Sequence, residues 1–183
     1  MRIIGGTAKG HAIKAPKGMD TRPTLDRVRE SVFNVLANRG IYGTDVLDLF
    51  SGTGAIAIES LSRGAARAVA VDCKTGKLIL ENAVHCRVDD RLQIIPRKLS
   101  QVKNYIEGQQ FDYIFSDPPY EHGFIQDTID FVVVNNLLKS SGVLLLEHHK
   151  DEVFTLPESW DCIKVQKFGY TMVSYFVNAA ERS

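Results

Sequence analysis

From residue 45 onward, short apolar runs alternate with amphipathic segments in a regular rhythm. Five of the apolar runs have the length and composition of buried strands: 46–50, 66–71, 92–95, 111–116 and 142–147. Three segments between them place apolar residues at helical spacing: 55–62, 75–85 and 124–138. Near-continuous apolar strands separated by helices indicate a parallel sheet that is covered on both faces.

The two ends of the chain follow a different pattern. The extended runs 162–168 and 171–177 are separated by only two residues, so they must form an antiparallel hairpin. Residues 2–18 consist of short extended pieces broken by glycines and prolines, and a helix is predicted to begin at Thr24, which suits an N-cap. The expected fold is therefore α/β: a seven-stranded, mostly parallel sheet that ends in an antiparallel hairpin, with a small N-terminal hairpin-and-helix extension.

Length and cysteine content narrow the class of protein further. A chain of 183 residues suits one well-packed core, and we divide it into an N-terminal extension, 1–40, and a main domain, 41–183. Its apolar runs are too short to cross a bilayer, and its first residues do not resemble a signal peptide. Three widely spaced cysteines predict reduced, buried thiols in a cytoplasmic protein, with neither disulfides nor a bound metal.

The charge is unevenly distributed, although the chain as a whole is neutral. Residues 1–39 contain eight basic and three acidic side chains, which leaves +5 on this segment and −5 on the rest. A basic extension on an acidic body suggests a polyanionic partner that is held mainly by the extension. The alternative is an ordinary solvated charged surface, and charge alone does not separate the two.

A glycine-containing loop, 48–54, follows the first parallel strand and opens a helix. Ligands bind at this end of an open α/β sheet, where the strand order reverses. Asp72, which ends the second strand, could accept hydrogen bonds from both hydroxyls of a ribose. Asp48, which opens the loop, could hold the ammonium of an aminoacyl group. The predicted cofactor-binding residues are Asp48, Phe50, Ser51, Gly52, Thr53, Gly54 and Asp72.

The loop by itself leaves three interpretations open. Gly52, Gly54 and Ala57 satisfy the relaxed dinucleotide-binding pattern as well, and a tight turn without a ligand is also possible. Asp48 favours S-adenosylmethionine over a nicotinamide cofactor, because a carboxylate would repel a pyrophosphate.

The sequence Asp117-Pro118-Pro119-Tyr120 ends the fourth strand, so it should lie across the same crevice. An exocyclic base amine is a poor nucleophile unless acceptors hold its N–H bonds. Asp117 and the carbonyl of Pro118 could be those acceptors, and the two prolines fix the backbone. Tyr120 offers a face on which an extruded base could stack. The alternative is a structural turn in which Asp117 accepts hydrogen bonds from the backbone and Tyr120 packs against neighbouring side chains.

Taken together, these segments resemble the RsmD-type bacterial 16S rRNA guanine-N2 methyltransferases, nearly from end to end. The glycine loop and the tetrapeptide are shared by many amino-methyltransferases, whereas the N-terminal blocks single out this family. The matching segments are 2–6, 9–10, 22–24, 26–30, 33–34, 47–54, 59, 61–64, 117–120 and 169–171.

The resemblance implies a Rossmann-like class I fold and methyl transfer from S-adenosyl-L-methionine to one guanine N2 near the ribosomal P site. It further implies a monomeric enzyme that acts on 16S rRNA in an assembled or assembling 30S particle. Five residues of the extension are the expected RNA contacts: Lys9, Arg22, Thr24, Arg27 and Arg29. Some of these arginines could instead brace the helix or pair with Glu30.

The sequence departs from the family pattern at several positions, and two other functions are compatible with its motifs. His11 stands where the family often has arginine, Asp72 replaces the usual glutamate, and residues 96–98 lack the expected adenine contact. A DNA adenine-N6 or cytosine-N4 methyltransferase would use the same chemistry, but the chain has no room for a separate target-recognition domain. A catalytically silent RNA-binding assembly factor is the alternative that is not an enzyme.

Overall fold

The computed structural model describes residues 1–16, 23–119 and 123–179, with the backbone alone for 23–25. Its helices are α1 (Pro23–Arg39), α2 (Ala55–Ser62), α3 (Gly76–His85), α4 (Lys103–Ile106) and α5 (Phe124–Val134). Its strands are β1 (Asp45–Leu49), β2 (Arg67–Val71), β3 (Leu92–Ile95), β4 (Phe111–Ser116), β5 (Leu138–His149), β6 (Trp160–Phe168) and β7 (Thr171–Asn178). Two short 3-10 turns are Asp89–Arg91 and Leu99–Gln101.

The seven strands form one sheet in the order β3-β2-β1-β4-β5-β7-β6. Strands β1 to β5 pair in parallel, and β7 lies antiparallel between β5 and β6. The strand order reverses between β1 and β4, so a crevice opens where these two strands end. The predicted fold, a mostly parallel sheet that ends in an antiparallel hairpin, is confirmed.

Alternate residues of each strand face opposite sides of the sheet, and each side has its own apolar core. Val46, Phe115 and Leu145 pack on the side of α1, α2 and α3. Leu47 and Leu146 pack on the other side, against α4 and α5. Because the period is two residues, Asp48 shares the face of Val46, and Glu147 shares the face of Leu145. The polar residues of the crevice therefore point toward the helices α1 to α3.

The N-terminal segment 1–16 packs against the main body. Ile3 and Ile13 are buried in the same core as α1 and β4, and one antiparallel bridge joins Arg2 to Ala12. Asn82 of α3 links this segment to the glycine loop: its side chain accepts a hydrogen bond from the Lys14 N–H and donates to the carbonyls of Lys14 and Thr53. The predicted basic extension is thus connected directly to the candidate cofactor loop.

Three expectations about local structure need correction. The helix expected over 124–138 ends at Val134, since Asn136 has a left-handed φ of 49° that stops the helix. Strand β5 begins at Leu138, four residues before the predicted start, with a register shift opposite Phe111. Only Cys86 is buried among the cysteines; Cys73 lies in an exposed turn and Cys162 on the outer strand β6, where neither side chain meets the core.

In the part of the chain that the structure describes, no helix is both long and apolar enough to cross a membrane.

Candidate active site

The loop after β1 folds back tightly toward α2. Phe50, Gly52 and Gly54 all have left-handed backbone angles, with φ of 59°, 55° and 77°. A Cβ on Gly54 would lie 2.9 Å from the Cγ2 atom of Ile79, so the close approach of α3 requires glycine there. A Cβ on Gly52 would meet no atom within 4 Å, which means that its backbone faces open space. A left-handed, non-glycine residue such as Phe50 is strained, and such strain often accompanies a binding site.

Ser51 and Asp72 hold this loop against β2. The Ser51 hydroxyl donates to the Asp48 carbonyl at 2.6 Å and accepts the Val71 N–H at 3.1 Å. One carboxylate oxygen of Asp72 accepts the Gly52 N–H at 3.0 Å, and the other accepts two backbone N–H groups at the start of α3. Asp72 therefore lies beside Gly52, and its oxygens keep further lone pairs for a ligand.

Asp48 is a buried carboxylate at the end of β1, with 4% of its surface exposed. One of its oxygens accepts the Ala57 N–H in the first turn of α2, at 3.2 Å. Burial raises the pKa of Asp48 to about 7, and the negative charges of Asp117 and Asp72 add to this effect. The parallel pairing of β1 with β4 brings Asp48 and Asp117, which directly follows β4, to one crevice, and the effect of Asp117 on the pKa of Asp48 is consistent with this.

The predicted tetrapeptide begins directly after β4. Asp117 is exposed to solvent at the crevice, although the surrounding protein raises the pKa of its carboxyl to about 6 by desolvation. Pro118 is buried and Pro119 is exposed. Tyr120 lies outside the described residues, so its stacking role stays a prediction.

Glu147 is a member of this cluster that the sequence reasoning missed. It lies near the end of β5 and is half-buried, and its pKa is raised to about 8 by burial and by the charge of Asp117. Its signal in the sequence was its place at the carboxyl end of the fifth predicted strand, which neighbours the fourth.

The four carboxylates of Asp48, Asp72, Asp117 and Glu147 thus gather at one edge of the sheet. Within the described ranges, no lysine, arginine or histidine forms an ion pair with any of them. Burial is the main cause of the raised pKa values of Asp48, Asp117 and Glu147, and the charge of a neighbouring carboxylate adds to it at Asp48 and Glu147. A cationic ligand with hydroxyl groups that reach Asp72 would compensate the negative charge of this edge, and the open space beside Gly52 leaves room for such a ligand.

The predicted RNA-contacting residues occupy different environments. Lys9 and Arg27 are exposed. Arg29 is buried, and its guanidinium donates to the Arg2 carbonyl at 2.5 Å and to Asp26 at 3.1 Å, which braces α1 against the N-terminal segment. Arg22 and the side chain of Thr24 lie outside the described residues. Lys9 and Arg27 are therefore the available cations among the predicted contacts that the structure describes.

Two surface hollows lie away from this crevice. One, of about 270 Å³, adjoins Arg67 and Leu92 at the opposite, amino-terminal edge of the sheet. The other, of about 250 Å³, lies between α5 and residues 155–157. Neither adjoins the carboxylates with raised pKa values, so we assign the candidate site to the open crevice and not to these hollows.

Comparisons with known proteins show the family to which the chain is similar and the structures that share its fold. The family model described as conserved hypothetical protein 95 matches residues 1–177. A relative from Haemophilus influenzae, named ribosomal RNA small subunit methyltransferase D, is 30% identical, with 96% of this chain and 91% of that protein covered. The structure of yhhF from Escherichia coli has a TM-score of 0.87 at 28% identity, and the match covers 99% of both chains. The crystal structure of SMU.776, complexed with SAH, shares the fold with a TM-score of 0.66 at 16% identity, over 81% of this chain and 48% of that one.

Proposed function

The chain belongs to the conserved hypothetical protein 95 family, and from this membership we propose that it methylates the exocyclic N2 of one guanine in 16S rRNA, with S-adenosyl-L-methionine as donor. The observation that carries the proposal is the parallel pairing of β1 with β4, which brings Asp48 and Asp117 to the same end of the sheet. The two carboxylates lie at the carboxyl ends of the strands between which the sheet order reverses, so a donor held at one would lie beside an amine held at the other.

The donor half of the site consists of the glycine loop and two aspartates. Asp48 would hold the ammonium of the aminoacyl group, Asp72 the ribose hydroxyls, and the open backbone at Gly52 would permit a close approach. When bound, S-adenosylmethionine supplies an electrophilic methyl group on a positively charged sulfur. Both of its positive charges suit an edge where carboxylates have raised pKa values.

The acceptor half lies at the start of the tetrapeptide. Asp117 and the Pro118 carbonyl would accept the N–H bonds of the amine and so align its lone pair with the methyl group. The nitrogen lone pair would form the new N–C bond, the electron pair of the broken C–S bond would stay on the sulfur of the donor, and the Asp117 carboxylate would take the released proton. S-adenosyl-L-homocysteine and N2-methylguanine are the products.

The basic N-terminal segment would bind the substrate. The Haemophilus relative is named for small-subunit rRNA, which is a polyanion, and exposed cations such as Lys9 and Arg27 suit phosphate contacts. The target would be a 30S particle or an assembly intermediate in the cytoplasm, bound by one copy of the enzyme.

Asp48→Asn is expected to stabilise the empty protein while it weakens donor binding. The pKa of Asp48 lies near 7 in the folded state, above its value near 3.9 in the unfolded chain, so the stability of the wild type falls as pH rises from about 4 to about 7. The variant lacks this penalty, and at pH 8 it should gain roughly 2–4 kcal/mol. Thermal melts at pH 4 and pH 8 measure the gain. Calorimetric titration should show at least about tenfold weaker binding of S-adenosylmethionine. Equal melting temperatures at pH 8 would contradict the assigned pKa.

The function itself is tested with labelled S-adenosylmethionine and 30S particles that lack the modification. We expect the label on one guanine of 16S rRNA, as N2-methylguanine. Label in duplex DNA but never in rRNA would assign the protein to the DNA methyltransferases. Tight rRNA binding without uptake of S-adenosylmethionine would identify a silent assembly factor.

A further inference from the structure

Strand pairing places Glu147 beside Asp117. Ser116 of β4 is in register with Leu146 of β5, so the next residue of each strand follows at the same level of the sheet. Neighbouring strands lie about 4.8 Å apart, and the alternation of side chains directs both residues toward the face of Phe115 and Leu145. The two carboxylates are therefore adjacent at the mouth of the crevice.

Both carboxylates are available to a ligand. Within the described part of the chain, neither accepts a hydrogen bond or forms an ion pair. The pKa of Glu147 is raised by burial and further by the charge of Asp117, which agrees with the closeness that the strand pairing gives. A positively charged donor bound at the same edge favours the ionised form of both.

Two adjacent acceptors match the Watson–Crick edge of guanine better than that of any other base. Guanine presents N2–H and N1–H donors side by side. Adenine and cytosine carry a ring nitrogen with a lone pair next to the amine, and this lone pair would face the second carboxylate. A site that holds only the amine would accept all three bases, whereas a second carboxylate beside the ring nitrogen favours guanine over adenine and cytosine.

We propose that Glu147 accepts the N1–H of the target guanine while Asp117 holds its N2 amine, and that Glu147 thereby selects guanine. This inference rests on the proposed function and names the group that sets its base specificity. Glu147 takes no part in the transfer of the methyl group or of the proton.

The test uses 30S particles reconstituted from ligated 16S rRNA with either guanine or 2-aminopurine at the methylated position. 2-Aminopurine keeps the amine but has a lone pair in place of the N1–H. The wild type should methylate the guanine particle with a kcat/KM at least about tenfold higher. In Glu147→Gln the amide can donate to that lone pair, so the preference should shrink to about threefold or less, mainly because activity on guanine falls. Fluorescence of the 2-aminopurine, measured without donor at about pH 9 so that Glu147 is ionised, should report tighter binding by this variant than by the wild type.

Glu158→Gln is the matched control, since it makes the same substitution at an exposed glutamate in the connection between β5 and β6. It should keep the wild-type preference. Equal use of both particles by the wild type, or an unchanged preference in Glu147→Gln, would overturn the role of Glu147. No methylation of the guanine particle by the wild type would instead overturn the proposed function.

Discussion

Asp117→Ala is expected to lower kcat by about 10²- to 10³-fold and to change the Kd for S-adenosylmethionine by less than about threefold. The carboxylate lies in the acceptor half of the crevice, so its loss removes the group that aligns the amine and takes its proton. The donor contacts of Asp48 and Asp72 remain in place. Single-turnover methylation of 30S particles measures the rate, and calorimetric titration measures donor binding.

Asp117→Asn separates the two roles of this carboxylate. The amide keeps an oxygen that accepts an N–H bond but cannot take a proton, so more activity in this variant than in Asp117→Ala would identify alignment as the larger contribution. The pKa of Asp117 is about 6 in the empty protein, and a bound donor favours its ionised form, so wild-type activity should decline as pH decreases below about 6. This decline should be absent from the pH profile of the asparagine variant.

Asp127→Ala is the control for both variants, because Asp127 is an exposed aspartate in the first turn of the neighbouring helix α5. It should methylate at the wild-type rate. A wild-type rate in Asp117→Ala would remove Asp117 from the mechanism. A loss of donor binding that equals the loss of rate would place Asp117 in the donor pocket.

The sequence predicted most accurately those strands and helices that have turn-forming residues at both ends. The predicted bounds are correct for β3, β4 and α2, because the apolar run and the flanking turn residues indicate the same ends there. The boundary between α5 and β5 was misplaced because Asn136, rather than a glycine or a proline, adopts the left-handed angle that stops the helix. The short helix α4 has too few residues for a periodic signal.

Local motifs predicted the candidate site where its chemistry lies on consecutive residues. The glycine loop and Asp117 belong to such motifs. Glu147 does not, because it joins the crevice only through the pairing of β5 with β4, a contact between segments about thirty residues apart. The same limit applies to Arg29, whose burial follows from partners in the N-terminal segment and not from its neighbours on α1. Sequence periodicity shows which face a residue occupies but not which distant segment covers it.

The attachment of the N-terminal segment depends on one buried glutamate of α2. Glu59 is fully buried, and its carboxylate accepts the N–H groups of Ile4 and Gly5, each at 2.7 Å. The same carboxylate pairs with Arg63 at 2.7 Å. Three donors of this interface therefore share a single acceptor group, and no other side chain of the described chain accepts from the N–H of Ile4 or Gly5.

Glu59→Ala is accordingly expected to lower the free energy of unfolding by about 3–5 kcal/mol, because it leaves a guanidinium and two backbone N–H groups without their acceptor in a buried interface. The melting temperature should fall by roughly 10 °C, and amide exchange should accelerate first at Ile3 and Gly10, whose N–H groups bond within the segment.

Glu81→Ala makes the same substitution in the exposed pair with Lys14 and should change the melting temperature little. Because the released segment carries the exposed Lys9, affinity for 30S particles should fall in Glu59→Ala while the Kd for S-adenosylmethionine is retained. If the melting temperature stays at the wild-type value, the segment is held by its apolar contacts, with Ile3 and Ile13 as the anchors.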